Sequence, residues 1–167
     1  MSGIIVRIGS AYGNRKKTIA RFHENFLLLD EGTREKIMVT NDDRPSLFSV
    51  KDLLSELSLN YGIPIVFRTL AHYFNPGLLS HGDALALSLS TWKEKSTPLI
   101  IHSESQDLNF EGSPDTRKVS DFIKYRIPTF NKDLCVILES NYREYSCYKY
   151  AMEYNSLKPV VIGRKKK

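Results

Sequence analysis

The sequence predicts an α+β fold, in which one compact domain has a mixed, mainly antiparallel sheet packed by two to four helices. Two observations predict it. Hydrophobic residues make up 41% of the 167 residues, which is enough to bury a core in a chain of this length. Short apolar runs of strand length alternate along the chain with stretches at helical spacing. The expected domain spans residues 1–163, with a basic segment at 1–21 and a basic tail at 164–167.

Two strands and a hairpin are expected in the first forty residues. Residues 4–8 alternate in polarity and end at a turn-forming cluster, 9–14. Apolar residues of one parity in 20–28 predict a longer strand with one face in solvent. A turn at 30–32 would then bring 37–39 back as the second arm of a hairpin.

The clearest predicted helix begins at Ser49. Its hydroxyl can cap the helix, and Asp52 three residues later completes a capping box. Apolar residues follow at helical spacing up to Tyr61, and Gly62 is placed to end the helix.

The second half of the chain predicts four strands and two helices. The run 84–92 has a period of two and predicts a strand, and antiparallel pairing with 99–103 is the arrangement this fold class implies. Pro128 is expected to close a short helix. The remaining elements are strands at 99–101, 134–138 and 160–162 and helices at 119–127 and 142–154.

Positive charge is concentrated at the two ends of the chain. The formal net charge is +5, yet the middle, 22–163, holds 15 basic and 19 acidic residues. Clustered lysine and arginine neutralise phosphate on nucleic acid or on an anionic bilayer. The residues predicted to bind an anionic partner are Arg7, Arg15, Lys16, Lys17, Arg21, Arg164, Lys165, Lys166 and Lys167.

Tyrosines are concentrated in the last predicted helix, where five of the nine lie within 13 residues. On a helix they occupy two neighbouring stripes, and a domain of this size cannot bury both. One stripe is therefore predicted to be an aromatic interface, although tyrosines that bury their rings and keep their hydroxyls in water fit equally well. The candidates are Tyr142, Tyr145, Tyr148, Tyr150 and Tyr154.

No arrangement of reactive residues predicts catalysis. The four histidines lie on separate elements, and the adjacent groups of Ser80, His81 and Asp83 cannot converge as a triad. Phosphate-binding glycine motifs are absent from the sequence. We therefore predict no catalytic residue, cofactor or metal, and a protein that is not an enzyme. The lack of an apolar run of 18 residues and the two cysteines favour an intracellular, reducing location without a transmembrane span.

Two family resemblances suggest functions. The run Val39 to Pro45, the capped helix 49–61 and Phe67 to Ala71 resemble in pattern the strand, Arg-Pro turn and helices of rhabdovirus matrix proteins. This resemblance implies a self-associating structural protein that bridges ribonucleoprotein to an anionic membrane, in the host cytoplasm or nucleus and in the virion. The Pro-Pro-x-Tyr budding motif of many relatives is absent.

The second resemblance covers residues 117–163. Leu134 to Ser140, Asn141-Tyr142 and the Lys158-Pro159 strand are similar to the C-terminal half of Toll/interleukin-receptor-like domains. The glutamate that NAD-cleaving members need in the helix is replaced by Lys149 or Tyr150, so the resemblance implies a signalling or adaptor module. A plain nucleic-acid-binding protein is the third hypothesis. The matrix-like hypothesis is preferred because it uses the terminal charges and the tyrosines together.

Overall fold

Five short strands form one parallel sheet in the order in which they occur along the chain. The computed structural model describes residues 3–9, 14–93 and 96–154. Each strand pairs with the next in parallel, in registers such as Ile4 with Ile37 and Leu99 with Cys135. The strands are β1 (Ile4–Arg7), β2 (Ile37–Thr40), β3 (Ile65–Arg68), β4 (Leu99–His102) and β5 (Cys135–Leu138).

Helices connect most of these strands. The helices are α1 (Arg15–Leu27), α2 (Glu31–Arg34), α3 (Val50–Leu53), α4 (Leu59–Tyr61), α5 (Thr69–Phe74), α6 (His81–Ser90) and α7 (Arg143–Tyr154). A π-helical turn, Leu54–Ser58, joins α3 and α4 into one continuous helical stretch. This stretch ends at Gly62, where φ is +66°.

The two faces of the sheet are packed differently. One face, with Val39, Phe67 and Ile100, forms the main core together with apolar residues of α1, α3, α6 and α7. The other face carries a smaller cluster around Met38, Val66 and Ile101, with Trp92 donating its indole N–H to the Ile65 carbonyl at 2.9 Å. The principal helices therefore cover one face of the sheet.

The predicted mainly antiparallel sheet is wrong because two expected strands are helices. Residues 20–28 lie largely in α1, which Asn14 caps by accepting the Lys17 N–H. Residues 84–92 lie mostly in α6, capped by Ser80, so 99–103 has no antiparallel partner there. Leu85 and Leu89 are four residues apart and share one buried face of the helix. Residues four apart also lie on the same face of a strand, so this spacing fits a strand as well. The hairpin predicted between 20–28 and 37–39 is likewise wrong, since its first arm lies in α1 and β2 pairs in parallel with β1 instead.

The helix predicted at 119–127 does not form. Two backbone N–H groups of this segment instead donate to side chains of α7. The Ile123 N–H donates to the Ser146 hydroxyl and the Ile127 N–H donates to the Tyr150 hydroxyl, both at 3.1 Å. The capping box at Ser49, the strands near 99–101 and 134–138 and the helix near 142–154 are confirmed. The strand predicted at 160–162 and the tail at 164–167 lie outside the described residues. Within the described part, no helix has the length and apolar character needed to cross a bilayer.

Candidate nucleic-acid interface at the carboxyl ends of the strands

Polar side chains follow the carboxyl ends of all five strands. Because the strands are parallel, these ends meet at one edge of the sheet, where open and barrel α/β proteins place their sites. We call this the carboxyl edge. Its polar residues are Arg7, Asn41, Asp42, Asp43, Arg68, His102, Ser103 and Glu139.

An ion-pair network joins β1 to the residues after β2 and to the long β4–β5 connection. Arg7 donates through Nε to Asp42 and through Nη2 to Asp43 at 3.0 Å. Arg117, on that connection, donates to the Asp43 carboxylate at 2.9 Å and to its carbonyl at 3.1 Å. The Arg117 guanidinium also lies 4.6 Å from the centre of the Phe74 ring, which restricts its orientation.

Arg68 is held from both its backbone and its side chain. Its backbone N–H donates to the Asn41 side chain at 2.8 Å, and its carbonyl accepts from the same amide at 3.1 Å. Its Nη2 donates to Glu139, after β5, at 3.0 Å. Asn41 is fully buried. The guanidinium of Arg68 is therefore fixed in position at the carboxyl edge.

Three guanidinium groups, from β1, β3 and the β4–β5 connection, line one small cavity. Arg7, Arg68 and Arg117 surround about 110 Å³ of space together with Asp43, Ser103 and Glu139, among others. A guanidinium presents several N–H donors in a fixed plane that matches phosphate oxygens. This arrangement is suited to contacting a phosphodiester backbone, with the carboxylates orienting the arginines.

The charges in this network stabilise one another. The hydrogen bond to Asp42 raises the pKa of Arg7 above its ordinary value. Burial acts to raise the pKa of Asp42, but hydrogen bonds from Arg7 and from the Arg44 N–H outweigh it and hold that pKa below its usual range. Asp42 is almost fully buried, so Arg7 also compensates a carboxylate that would otherwise be costly to desolvate.

The three carboxylates of the carboxyl edge are not arranged as a divalent metal site. Sites that hold a pair of metal ions commonly use carboxylates and histidines as ligands. Here Asp42, Asp43 and Glu139 each contact an arginine instead. Across residues 3–9, 14–93 and 96–154, no group of three or more His, Cys, Asp or Glu side chains is placed to hold a metal.

Three histidines cluster at the carboxyl edge, where His102 ends β4. His72 and His81 lie 5.7 Å apart between ring centres, and both contact Phe67. His102 Nε2 lies 3.7 Å from the Glu104 carboxylate. Burial, followed by the nearby His72 and His102, lowers the pKa of His81 to about 4. Burial lowers the pKa of His72 as well, so the His72 and His81 rings are neutral near pH 7.

The residues predicted to bind an anionic partner are dispersed in the structure. Arg7 lies at the carboxyl edge, and Arg15 pairs with Asp52 at 2.7 Å. Lys16, Lys17 and Arg21 are exposed on α1. The tail residues 164–167 lie outside the described range, so their role stays a prediction.

The five predicted interface tyrosines divide between surface and core. Tyr142, Tyr145 and Tyr148 are more than half exposed, and Tyr142 stacks on Phe122. Tyr150 is buried, and Tyr154 donates its hydroxyl to the Lys124 carbonyl at 2.6 Å. The exposed three stay a predicted interface, whereas Tyr150 contributes to the core.

Sequence reasoning missed Arg68, Arg117 and Glu139. A usable signal was present, since short apolar runs such as 65–67 and 135–138 are each followed directly by a charged residue. Repetition of that pattern is typical of βα units whose strand ends share one edge. Arg117 had no such signal, because it lies far from any strand end in sequence.

The strand order and the single helix-covered face define the class of protein. Sequential parallel strands with helices on one side are the arrangement of an α/β barrel. In proteins of this class the functional residues lie at the carboxyl ends of the strands. The sequence model of the family described as UV-endonuclease UvdE matches residues 1–164. This chain belongs to that family.

Curated relatives carry names that agree with the family. The UV DNA damage endonuclease of Clostridium perfringens is 28% identical over 94% of this chain and 38% of its own length. The UV-damage endonuclease of Schizosaccharomyces pombe is 26% identical, covering 93% of this chain and 26% of the relative. The UV DNA damage endonuclease of Bacillus cereus is 24% identical, covering 95% and 50%. The chain thus spans about a quarter to a half of these relatives.

A solved structure resembles the chain in fold. The crystal structure of SacUVDE matches with a TM-score of 0.70 and 29% identity, over 93% of this chain and 53% of that chain. Its similarity agrees with the parallel strand order seen here.

These comparisons correct the predicted function. The rhabdovirus-matrix and Toll/interleukin-receptor-like interpretations are wrong, because the chain belongs to the UvdE family. The prediction of a non-enzymatic structural protein is also wrong, since the relatives are named as endonucleases. The names of these relatives refer to damaged DNA. The prediction that the partners are an anionic membrane and ribonucleoprotein is therefore wrong as well. The matrix pattern misled because strand and helix order alone does not record strand direction.

Proposed function

We propose that this chain recognises UV-damaged DNA in the kind of incision reaction for which its relatives are named. The damaged strand would lie along the carboxyl edge, with its phosphates contacted by Arg7, Arg68 and Arg117. The observation that carries the proposal is the convergence of these three guanidinium groups, from three separate parts of the chain, on one cavity. We also propose an intracellular location, where DNA repair takes place.

Each arginine has a distinct part in binding. The backbone of Arg68 is fixed by Asn41 and its guanidinium by Glu139, so this arginine would act as the rigid contact. Arg117 is oriented by the Phe74 ring and would contact a phosphate from the β4–β5 connection. Arg7 compensates the negative charge of Asp42 and would donate its remaining N–H groups to a phosphate. Lys16 and Lys17 on α1 would contact phosphates further along the duplex.

Binding of a UV-irradiated duplex to the full chain tests the proposal. Fluorescence anisotropy should show tighter binding of the irradiated duplex than of the same duplex unirradiated. Arg68→Gln should weaken both affinities, since phosphate contacts do not depend on base identity. Arg126→Gln, at an exposed position on the β4–β5 connection outside this cavity, is the matched control. Equal affinity for irradiated and unirradiated DNA, or an unchanged affinity in Arg68→Gln, would contradict the proposal.

A further inference from the structure

A second and larger cavity lies at the other end of the sheet, where the first three strands begin. It has a volume of about 480 Å³, and residues just before β1, β2 and β3 line it, among them Gly3, Lys36 and Ile63. We call it the amino-end cavity. Each of these strands is four residues long, so about 13 Å separates the cavity from the carboxyl edge. Its volume is typical of a site for a small organic molecule.

Three aromatic side chains line the amino-end cavity and are held in place by their neighbours. They are Phe26, Tyr61 and Trp92. The rings of Phe26 and Tyr61 meet edge to face, with 5.5 Å between their centres. The indole N–H of Trp92 donates to the Ile65 carbonyl, which restricts the plane of that ring. Aromatic rings that are already fixed can stack a flat ligand without a further cost of ordering them.

Arg34 brings an unpaired hydrogen-bond donor to the same cavity. It is the last residue of α2 and is half-buried among the lining residues. Its Nε is buried and has no hydrogen-bond partner within residues 3–9, 14–93 and 96–154. A buried donor without an acceptor is costly, and a guanidinium bonds most strongly to a charged oxygen. An anionic ligand in the cavity would supply that acceptor.

The charges around the amino-end cavity favour a ligand with one negative charge. Three cationic side chains line it, Arg34, Lys36 and Lys93, together with the two carboxylates of Glu31 and Glu35. One positive charge is therefore in excess. A carboxylate matches that excess. A phosphate monoester carries nearly two negative charges at pH 7 and would be repelled by the glutamates.

We propose that the amino-end cavity binds a planar aromatic carboxylate of about two fused rings. The ring system would stack on Tyr61 and Trp92, and the carboxylate would accept a hydrogen bond from Arg34 Nε. This inference goes beyond the proposed function and does not depend on it. Because the cavity lies at the opposite end of the strands from the carboxyl edge, the ligand and DNA would bind at the same time.

Isothermal titration calorimetry of the full chain with three related probes tests the proposal. The probes are 2-naphthoate, the uncharged 2-naphthamide and decahydro-2-naphthoate, which keeps the charge but is not planar. The chain should bind 2-naphthoate most tightly. Each of the other two should bind about tenfold more weakly, since one lacks the charge-assisted hydrogen bond and the other lacks the flat ring.

Two substitutions separate the contributions of charge and stacking. Arg34→Met removes the donor and keeps an apolar side chain, so it should weaken 2-naphthoate about tenfold and 2-naphthamide less than about threefold. Tyr61→Leu should weaken both of these probes about fivefold and leave decahydro-2-naphthoate unchanged. Arg126→Gln alters an exposed arginine outside the cavity and is the matched control, with no expected change.

Thermal melting of Arg34→Met gives a second test that needs no ligand. Because the substitution removes an unpaired buried donor, the variant should melt at or above the temperature of the parent chain. A clearly lower melting temperature would show that Arg34 is already satisfied within the protein and would overturn the proposal.

The titrations can also contradict the proposal. Failure of the parent chain to bind 2-naphthoate overturns it, as does an unchanged affinity in Arg34→Met. Equal affinity for 2-naphthoate and decahydro-2-naphthoate overturns the stacking, and an equal loss in Arg126→Gln overturns the site. None of these results bears on the affinity for irradiated DNA, so the proposed function is judged separately. Displacement of bound DNA by 2-naphthoate would overturn the claim that the two sites are distinct.

Discussion

Asn41 and Arg68 are joined by two hydrogen bonds, so that the buried amide after β2 holds both backbone groups of the last residue of β3. This pairing continues the parallel ladder beyond the strands by using a side chain in place of a backbone. The arginine that we place on DNA is thereby positioned by a residue that DNA cannot reach.

Asn41→Ala should destabilise the protein and weaken DNA binding. It leaves the backbone N–H and carbonyl of Arg68 without these partners, which costs about 2–3 kcal/mol of unfolding free energy. Urea unfolding measures this loss. Asn60→Ala removes an exposed side-chain amide in the middle of α4 and serves as the control, with an expected cost below about 1 kcal/mol. Equal effects of the two substitutions would contradict the positioning role.

Glu139→Gln should strengthen DNA binding. Glu139 pairs with Arg68 and places a negative charge at the cavity, so neutralising it removes repulsion of phosphate while the glutamine carbonyl can still accept from the guanidinium. The expected gain is about fivefold in affinity, equivalent to about 1 kcal/mol for a partly solvated charge. Anisotropy titrations check it, and the gain should vanish when Arg68→Gln is also present. Weaker binding by Glu139→Gln alone would show that the ion pair is needed intact.

Stability should fall as the pH drops from 6.5 towards 4. The pKa of His81 is lowered from 6.5 to about 4 in the folded protein, so the unfolded chain binds more protons in that window. The loss is expected to be about 2 kcal/mol, since the ring is only partly buried. Urea midpoints at several pH values measure it. His81→Gln should flatten this part of the profile, and an unchanged slope in that variant would contradict the assignment.

Tyr150→Phe should destabilise the protein by about 1–2 kcal/mol, because it leaves the buried Ile127 N–H without its acceptor. Tyr148→Phe changes a hydroxyl on an exposed ring of the same helix and should cost almost nothing. Thermal melting of the two variants measures the difference. Similar melting temperatures would mean that the α7 contact does not hold the 119–127 segment.

Local signals in the sequence predicted local structure. The Ser49 capping box depends on residues three apart, and the apolar run at 134–138 has only one length-compatible interpretation. The period of two at 84–92 failed because leucines four residues apart satisfy a helix and a strand alike. The direction of the strands could not be predicted from local sequence patterns, because it depends on how connections such as α1 pack on the sheet.

The candidate site was harder to predict than the fold. Arg7 was found through its charge alone, and its pairing with Asp42 joins residues 35 apart in sequence. Arg117 and Asp43 lie 74 apart and meet only because the β4–β5 connection returns to the carboxyl edge. Asp42 and Asp43 lie just after β2, but nothing in the sequence indicates which arginines they contact.

The dependence of DNA affinity on salt tests the central claim most directly, because each phosphate contact lowers affinity as salt rises. The full chain, Arg68→Gln/Arg117→Gln and Lys16→Gln/Lys17→Gln should be titrated with irradiated duplex between about 50 and 200 mM salt. If the strand lies at the carboxyl edge, the arginine double variant should reduce the slope of log affinity against log salt by about 1.8, that is about 0.9 per lost contact. An unchanged slope in that variant, with the reduction appearing only in the lysine variant, would place DNA on α1 and contradict the account.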